Sequence, residues 1–399
     1  MGAASGVLLT ELRVTASRRS RPLSVLCELT HACNVDCEHC YLDLAPDRVI
    51  GAMTTDEWKR VFDELAAAGC LFLTLSGGEL LVRRDWFELA THARSLSFAL
   101  RLYSNATLID DANADRIASL SVIGVDVSLL GGTAATHDAI ARKPRAFERT
   151  LAGVKRLRDR GVPVLFKTVV MESNAHEVSE VRQLAASLGC DAYFDLEVTP
   201  KNNGSRAPVA LRTAVATVRQ VLADPEMAAA LHTEPVRVSP AVLAGSPCGA
   251  GRTGCQIGPT GDVFPCVQWT KPVGNVRASS FASVWYGSAD LARVRSQRVG
   301  DMTVCTGCAL FETCSPCMAL SLLENGNLDG PSPTKCHATW VRAQARGIEG
   351  RPAGLPADVT LASLVQPSGA LVQLGTRGDR TVGSKGAAQS VASGTNRSR

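Results

Sequence analysis

The stretch Glu28-Leu-Thr-His-Ala-Cys33-Asn-Val-Asp-Cys37-Glu-His-Cys40-Tyr41 follows directly on an apolar run at residues 23–29. A short apolar run closed by polar residues reads as a buried strand, so the three cysteines lie on a loop at the C-terminal end of a strand. Three thiolates can occupy three irons of a cubane and leave the fourth open, whereas clusters that only carry electrons usually take four cysteines. A structural zinc site also takes four ligands, and His31 or His39 can supply the missing one. The spacing alone leaves both readings standing.

Outward from this loop the pattern repeats. Further apolar runs occupy residues 71–75, 98–103, 122–130, 162–170 and 192–196. Between them apolar side chains recur at helical spacing, as in Trp58, Val61, Phe62 and Leu65 behind a Thr54-x-x-Glu57 capping box. Phe147, Leu151, Val154 and Leu157 repeat it, as do Val178, Val181, Leu184 and Leu188. Six strands alternating with helices predict an α/β fold of parallel βα units wound as a barrel or partial barrel. Chemistry in such folds gathers at the C-terminal ends of the strands. The expected organisation is an N-terminal extension (1–22), the core (23–210), a connector (211–245), a cysteine-rich domain (246–346) and a low-complexity tail (347–399) expected to be disordered.

Composition narrows the class. Hydrophobic residues make up 45% and charged residues 20% of 399, as in a globular protein, and no run of about 18 apolar residues predicts a membrane span. The net charge of +4 resides in the last 25 residues, where five basic side chains face Asp379 alone. A balanced body gives no footprint for nucleic acid. The N-terminus satisfies no targeting pattern, so a cytoplasmic location is expected. Fourteen cysteines in a reducing compartment are better metal ligands than disulfides. Eleven fall in two groups, leaving Cys27, Cys70 and Cys190 scattered as core thiols.

Three other predicted strand ends carry candidate binding residues. Ser76-Gly77-Gly78-Glu79 ends the second, Asn105 follows the third and Ser128 closes the fourth. Two adjacent glycines let backbone approach a ligand closely, although each of these residues also suits an ordinary turn or cap. Lys167 interrupts an apolar strand, facing either the barrel interior or an edge. Asp195 and Glu197 share one face at the end of the sixth strand.

Together these segments, over residues 23–208, resemble the radical S-adenosylmethionine (SAM) superfamily: the Cys33/Cys37/Cys40 loop ending in Tyr41, the Gly77-Gly78-Glu79 turn, Ser104-Asn105, and Ser128-Leu129 with Thr136-His137-Asp138. The resemblance implies a partial (β/α)6 barrel whose open iron chelates the amino and carboxylate groups of SAM. Gly77, Gly78 and Glu79 would line the methionine amino group, Ser128 the ribose, and the loop with His39 and Tyr41 the adenine. Asn105 would complete the cofactor-binding set, and a barrel-facing Lys167 would meet the SAM carboxylate. Leu80 stands where the family has proline, and Leu130-Gly131-Gly132 replaces a more acidic or aromatic pattern.

The second group comprises Cys248, Cys255, Cys266, Cys305, Cys308, Cys314, Cys317 and Cys336. Cys305-x2-Cys308-x5-Cys314-x2-Cys317 alone could be a zinc knuckle, and Gly261-x4-Cys266 reads as a hairpin presenting a thiol. The arrangement is similar to the SPASM extension, which implies two auxiliary [4Fe–4S] clusters, one on Cys248, Cys255, Cys266 and Cys317 and the other on Cys305, Cys308, Cys314 and Cys336. The x2 spacing before Cys317 stands where x3 is usual, and the ligand at the place of Cys255 is absent from some members of the family, whose open iron then binds substrate.

The implied chemistry is reductive cleavage of SAM to a 5′-deoxyadenosyl radical, with oxidative modification of a side chain of a ribosomally made peptide. The Lys167–Asn174 and Pro200–Pro208 segments look most like the peptide-maturase branch. Expected partners are the precursor peptide, a separate small recognition protein, since no leader-binding segment is evident, and a flavodoxin or ferredoxin as electron donor. The same fold would serve a sulfatase residue or a tetrapyrrole. From another class, an Fe–S electron carrier or zinc protein is the remaining reading.

Overall fold

The computed structural model describes residues 2–43, 51–232 and 235–365; the end of the chain expected to be disordered, from 366 onward, lies outside the described residues. All six anticipated strands form: β1 Ser24–Glu28, β2 Phe72–Ser76, β3 Ala99–Ser104, β4 Gly124–Ser128, β5 Val164–Val169 and β6 Asp191–Asp195. They lie side by side in chain order and are all parallel. β6 does not return to β1, so the barrel is partial.

Side chains alternate across each strand. Val25 and Cys27, Leu73 and Leu75, Leu100 and Leu102, and Val125 and Val127 are buried in the main core. That core includes Trp58, Val61, Phe62 and Leu65 of the helix Thr55–Ala67. Each such side chain contributes about 1.5–3 kcal/mol on burial. The helix starts where the sequence says: the Thr54 side chain accepts from the Glu57 amide, and the Thr54 amide donates to the Glu57 carboxylate (3.2 and 2.8 Å).

The intervening residues give the concave face its polarity: Glu28, Ser76, Arg101, Tyr103, Asp126, Ser128 and Lys167. Lys167 therefore looks into the barrel.

The second unit continues the same sheet. β7 (Gly254–Ile257) pairs in parallel with the free edge of β1, and β8 (Asp262–Phe264) and β9 (Gly274–Asn275) follow antiparallel. Gly261 turns the β7–β8 hairpin at φ +89°, where a Cβ would meet Arg277 at 3.0 Å. Arg212 in the connector is buried and donates to the carbonyls of Val198 and Leu364 (both 3.0 Å) and to Thr334 (2.5 Å). It lies 3.8 Å from the buried Glu324 carboxylate.

Composition alone put the start of the tail at 347. Residues 347–365 instead fold back, burying Leu355, Val359 and Leu364 against Trp340 and Leu310. A few spaced apolar side chains among Gly and Pro were enough to order this segment, a signal too weak for periodicity to reveal.

Candidate active site

Cys33, Cys37 and Cys40 come together on the loop leaving β1. The loop is pinned to the helix Ala134–Ala141, because the Asp36 and Glu38 amides donate to the Ala141 and Ile140 carbonyls (3.1 and 3.0 Å). On its other side it meets the glycine turn: the Gly78 amide donates to the Thr30 carbonyl and the Glu79 amide to the Ala32 carbonyl (2.8 and 2.9 Å). A Cβ on Gly77 would stand 2.3 Å from the Thr30 oxygen, and one on Gly78 2.4 Å from the Ala32 oxygen. The two glycines are thus required by backbone packing against the thiol loop. Their own carbonyls accept no hydrogen bond among the described residues.

Glu79 fixes the turn. Its buried carboxylate accepts from the Leu81 and Asn105 amides (3.0 and 2.7 Å) and the Ser104 hydroxyl (2.9 Å). Burial nonetheless raises its pKa. Leu80, in the place of the family's proline, is fully buried and opens the short turn that Glu79 caps. Asn105 reaches the thiol loop itself, its side-chain amide donating to Asn34 (2.9 Å) while Asn34 donates to Thr107 (2.7 Å). Sequence reasoning passed over Asn34, although its place beside Cys33 was a usable signal.

On the opposite flank, buried Glu28 accepts from the Tyr41 hydroxyl (2.6 Å) and faces His31 Nε2 (3.0 Å). The Tyr41 carbonyl accepts from the Asn202 amide (2.8 Å), which ties the loop to the chain leaving β6. Burial, then Glu28, hold the Tyr41 hydroxyl well above its ordinary pKa. His39 is lowered to about 4 by burial, and its Nδ1 is buried without a partner.

Inside the barrel Lys167 donates to the Tyr103 hydroxyl (2.9 Å) and pairs with Asp126 (3.1 Å), which also pairs with Arg101. Burial lowers the Lys167 pKa, but these partners outweigh it and the net shift is upward. Ser128 stands exposed at the end of β4. The Leu130-Gly131-Gly132 departure is structural: the Gly132 and Thr133 amides and the Thr133 and Thr136 hydroxyls all donate to Glu177 (2.7–3.1 Å). A Cβ on Gly131 would lie 2.9 Å from that carboxylate. At the end of β6, burial and then Glu197 raise Asp195, and Glu197 pairs with Lys335 beside Cys336.

Among the later cysteines, Cys305, Cys308, Cys314 and Cys336 line one cavity, and burial, then the neighbouring thiols, raise the pKa of Cys305 and Cys336. Burial, then Cys317 and Cys248, raise Cys266, and Cys248 adds to the burial that raises Cys317. Cys255 lies elsewhere, buried with Cys27 and Cys70.

A cavity of about 130 Å³ opens between the barrel and the β7–β8 hairpin. Glu28, His31, Tyr41, Gln256, Asp262 and Trp269 are among its walls. Gln256 is 5% exposed and its Oε1 has no partner. Neither Gln256 nor Trp269 carries a sequence signal that separates it from core residues.

The donor chemistry fits an iron–sulfur cluster in the first loop. Burial first, and the neighbouring thiols in addition, raise the pKa of Cys37 and of Cys40, the latter to about 11, so proximity and softness favour a metal that displaces the protons. The free carbonyls of Gly77 and Gly78 and the orphaned His39 Nδ1 leave polar groups beside it for a second ligand.

Comparison with known proteins agrees. The radical SAM superfamily matches residues 27–185, and an iron–sulfur cluster-binding domain, SPASM, matches residues 248–309. An AdoMet-dependent heme synthase of Methanosarcina barkeri is 28% identical over 77% of this chain and 94% of its own length. The mycofactocin maturase MftC of Mycobacterium tuberculosis is 28% identical over 78% of this chain and 82% of its own. The structure of Streptococcus suis SuiB bound to its precursor peptide SuiA superposes with a TM-score of 0.61 at 18% identity, covering 83% of this chain and 80% of SuiB. The cofactors of these domains are [4Fe–4S] clusters and SAM. With its thiol loop at the mouth of a partial barrel and its hairpin of further thiols on the free edge of β1, this chain carries a radical SAM domain followed by a SPASM domain.

Proposed function

We propose that this enzyme oxidatively modifies a side chain of a ribosomally synthesised peptide. When bound on Cys33, Cys37 and Cys40, the cluster and SAM supply an electron and a 5′-deoxyadenosyl radical that abstracts a hydrogen atom. The chain's own part is placement. Asn34 and Asn105 hold the thiol loop against the Glu79 turn, and Glu28 with Tyr41 and Asn202 closes its other flank. Gly77, Gly78, His39 and Ser128 line the SAM side, and Lys167 with Asp126 sets the charge of the barrel floor.

The observation that carries the peptide reading is the likeness to peptide maturases and a peptide cyclase, with a cavity between barrel and hairpin beside it. About 130 Å³ is close to the space that admits one benzene ring. That is room for a single side chain. Relatives with peptide-maturase and heme-synthase names are equally similar, and the mycofactocin maturases and the PqqA peptide cyclase among them support the peptide reading. A separate small recognition protein and a flavodoxin or ferredoxin donor complete the proposed partners, and the location proposed is cytoplasmic.

The test is co-expression with a short peptide encoded beside the gene, followed by mass spectrometry. A mass change such as −2 Da, absent with the Cys33→Ala/Cys37→Ala/Cys40→Ala variant, is expected. An unchanged peptide, with turnover of an added tetrapyrrole instead, would overturn the reading.

A further inference from the structure

We propose that the auxiliary cluster next to the barrel is held by only three thiolates, Cys248, Cys266 and Cys317, and that Cys255 is a core residue. The family pattern would make Cys255 the fourth ligand; the strand that carries it argues otherwise. β7 is paired with β1 in the register Val25↔Cys255 and Leu26↔Gln256. Successive side chains on a strand point to opposite faces. Gln256 lines the cavity between barrel and hairpin, so Cys255 points the other way. There it is 6% exposed in the main core, which also contains Cys27, Trp285 and Leu291.

Cys266 and Cys317 belong to a different apolar cluster, around Trp269 and Met318. A thiol on the opposite face of β7 cannot join them without a one-residue register shift. That shift would turn Val25, Cys27 or their β7 partners out of the core.

No other cysteine can take the place. All fourteen lie among the described residues. Three are on the first loop and four line the cavity of Cys305, Cys308, Cys314 and Cys336. Cys27, Cys70 and Cys190 are buried elsewhere. One iron of the cluster on Cys248, Cys266 and Cys317 is therefore left to a ligand that is not a cysteine of this chain, and it takes a small exogenous anion such as cyanide.

This inference does not depend on what the enzyme modifies, because its readouts are iron and spectroscopy. Cys255→Ala and Cys255→Val are to be compared with Cys266→Ala and Cys317→Ala after identical anaerobic reconstitution. Iron and sulfide per chain equal to the parent are expected for both Cys255 variants, and a loss of about a third, one cluster of three, for the other two. Loss of one cluster from a Cys255 variant whose circular dichroism matches the parent would overturn the proposal. Should both Cys255 variants fail to fold, the Cys33→Ala/Cys37→Ala/Cys40→Ala variant decides. With Cys255 intact and the first cluster gone, added ¹³C-cyanide is expected to give a ¹³C hyperfine coupling on an auxiliary cluster; the absence of any coupling would overturn the proposal.

Discussion

Glu28 shows how a single residue can organise the site. It sits at the last position of β1, 1% exposed, and holds Tyr41 and His31 from within the barrel. Tyr41 follows Cys40 directly, so this bond fixes the end of the thiol loop. The sequence made the loop legible because its cysteines have a spacing. It hid Glu28 because a lone acidic residue at a strand end has no pattern until the fold buries it. Tyr41→Phe leaves the carboxylate short of its nearest donor, and a destabilisation of about 1–3 kcal/mol is expected. Urea unfolding of the reconstituted protein measures it, with iron content unchanged. A change below about 0.5 kcal/mol would show that the bond does not hold the loop.

At the scale of elements, the strands and their helices were readable from periodicity, and the apolar runs match the strands within one or two residues. The loops between them were readable only where chemistry-bearing residues marked them. The segment after β4 is the instructive case. Its Gly131-Gly132 pair looks like a weakened binding motif in sequence, yet in the fold it lets the chain close on Glu177. Burial acts to raise the Glu177 pKa, but the hydrogen bonds from Thr136, Thr133 and Gly132 outweigh it and the net shift is below the ordinary value of 4.5. A depressed carboxylate stabilises the fold fully above its ordinary pKa, and that contribution is lost as pH falls through the folded value. Glu177→Gln is therefore expected to cost about 1–3 kcal/mol at pH 7 and progressively less below pH 4.5. Denaturant unfolding across that range checks the sign; a penalty that does not shrink with acidity would refute it.

Across the whole molecule, the two units share one sheet. β7 extends β1, so the thiol hairpin is carried on the same strand that delivers the first cysteine loop. Glu197 and Lys335 join the end of β6 to the helix bearing Cys336. No periodicity announces that a distant hairpin will add to the edge of the first strand. The structure also separates eight similar cysteines by the faces they occupy, which spacing could not do. The central claim is that Cys33, Cys37 and Cys40 form the centre that cleaves SAM. Its most direct test is anaerobic incubation of the reconstituted enzyme with dithionite and SAM, followed by quantification of 5′-deoxyadenosine. The parent chain is expected to produce it, and the Cys33→Ala/Cys37→Ala/Cys40→Ala variant, with its auxiliary iron retained, to produce none. Equal 5′-deoxyadenosine from both, or none from the fully loaded parent, would contradict the account.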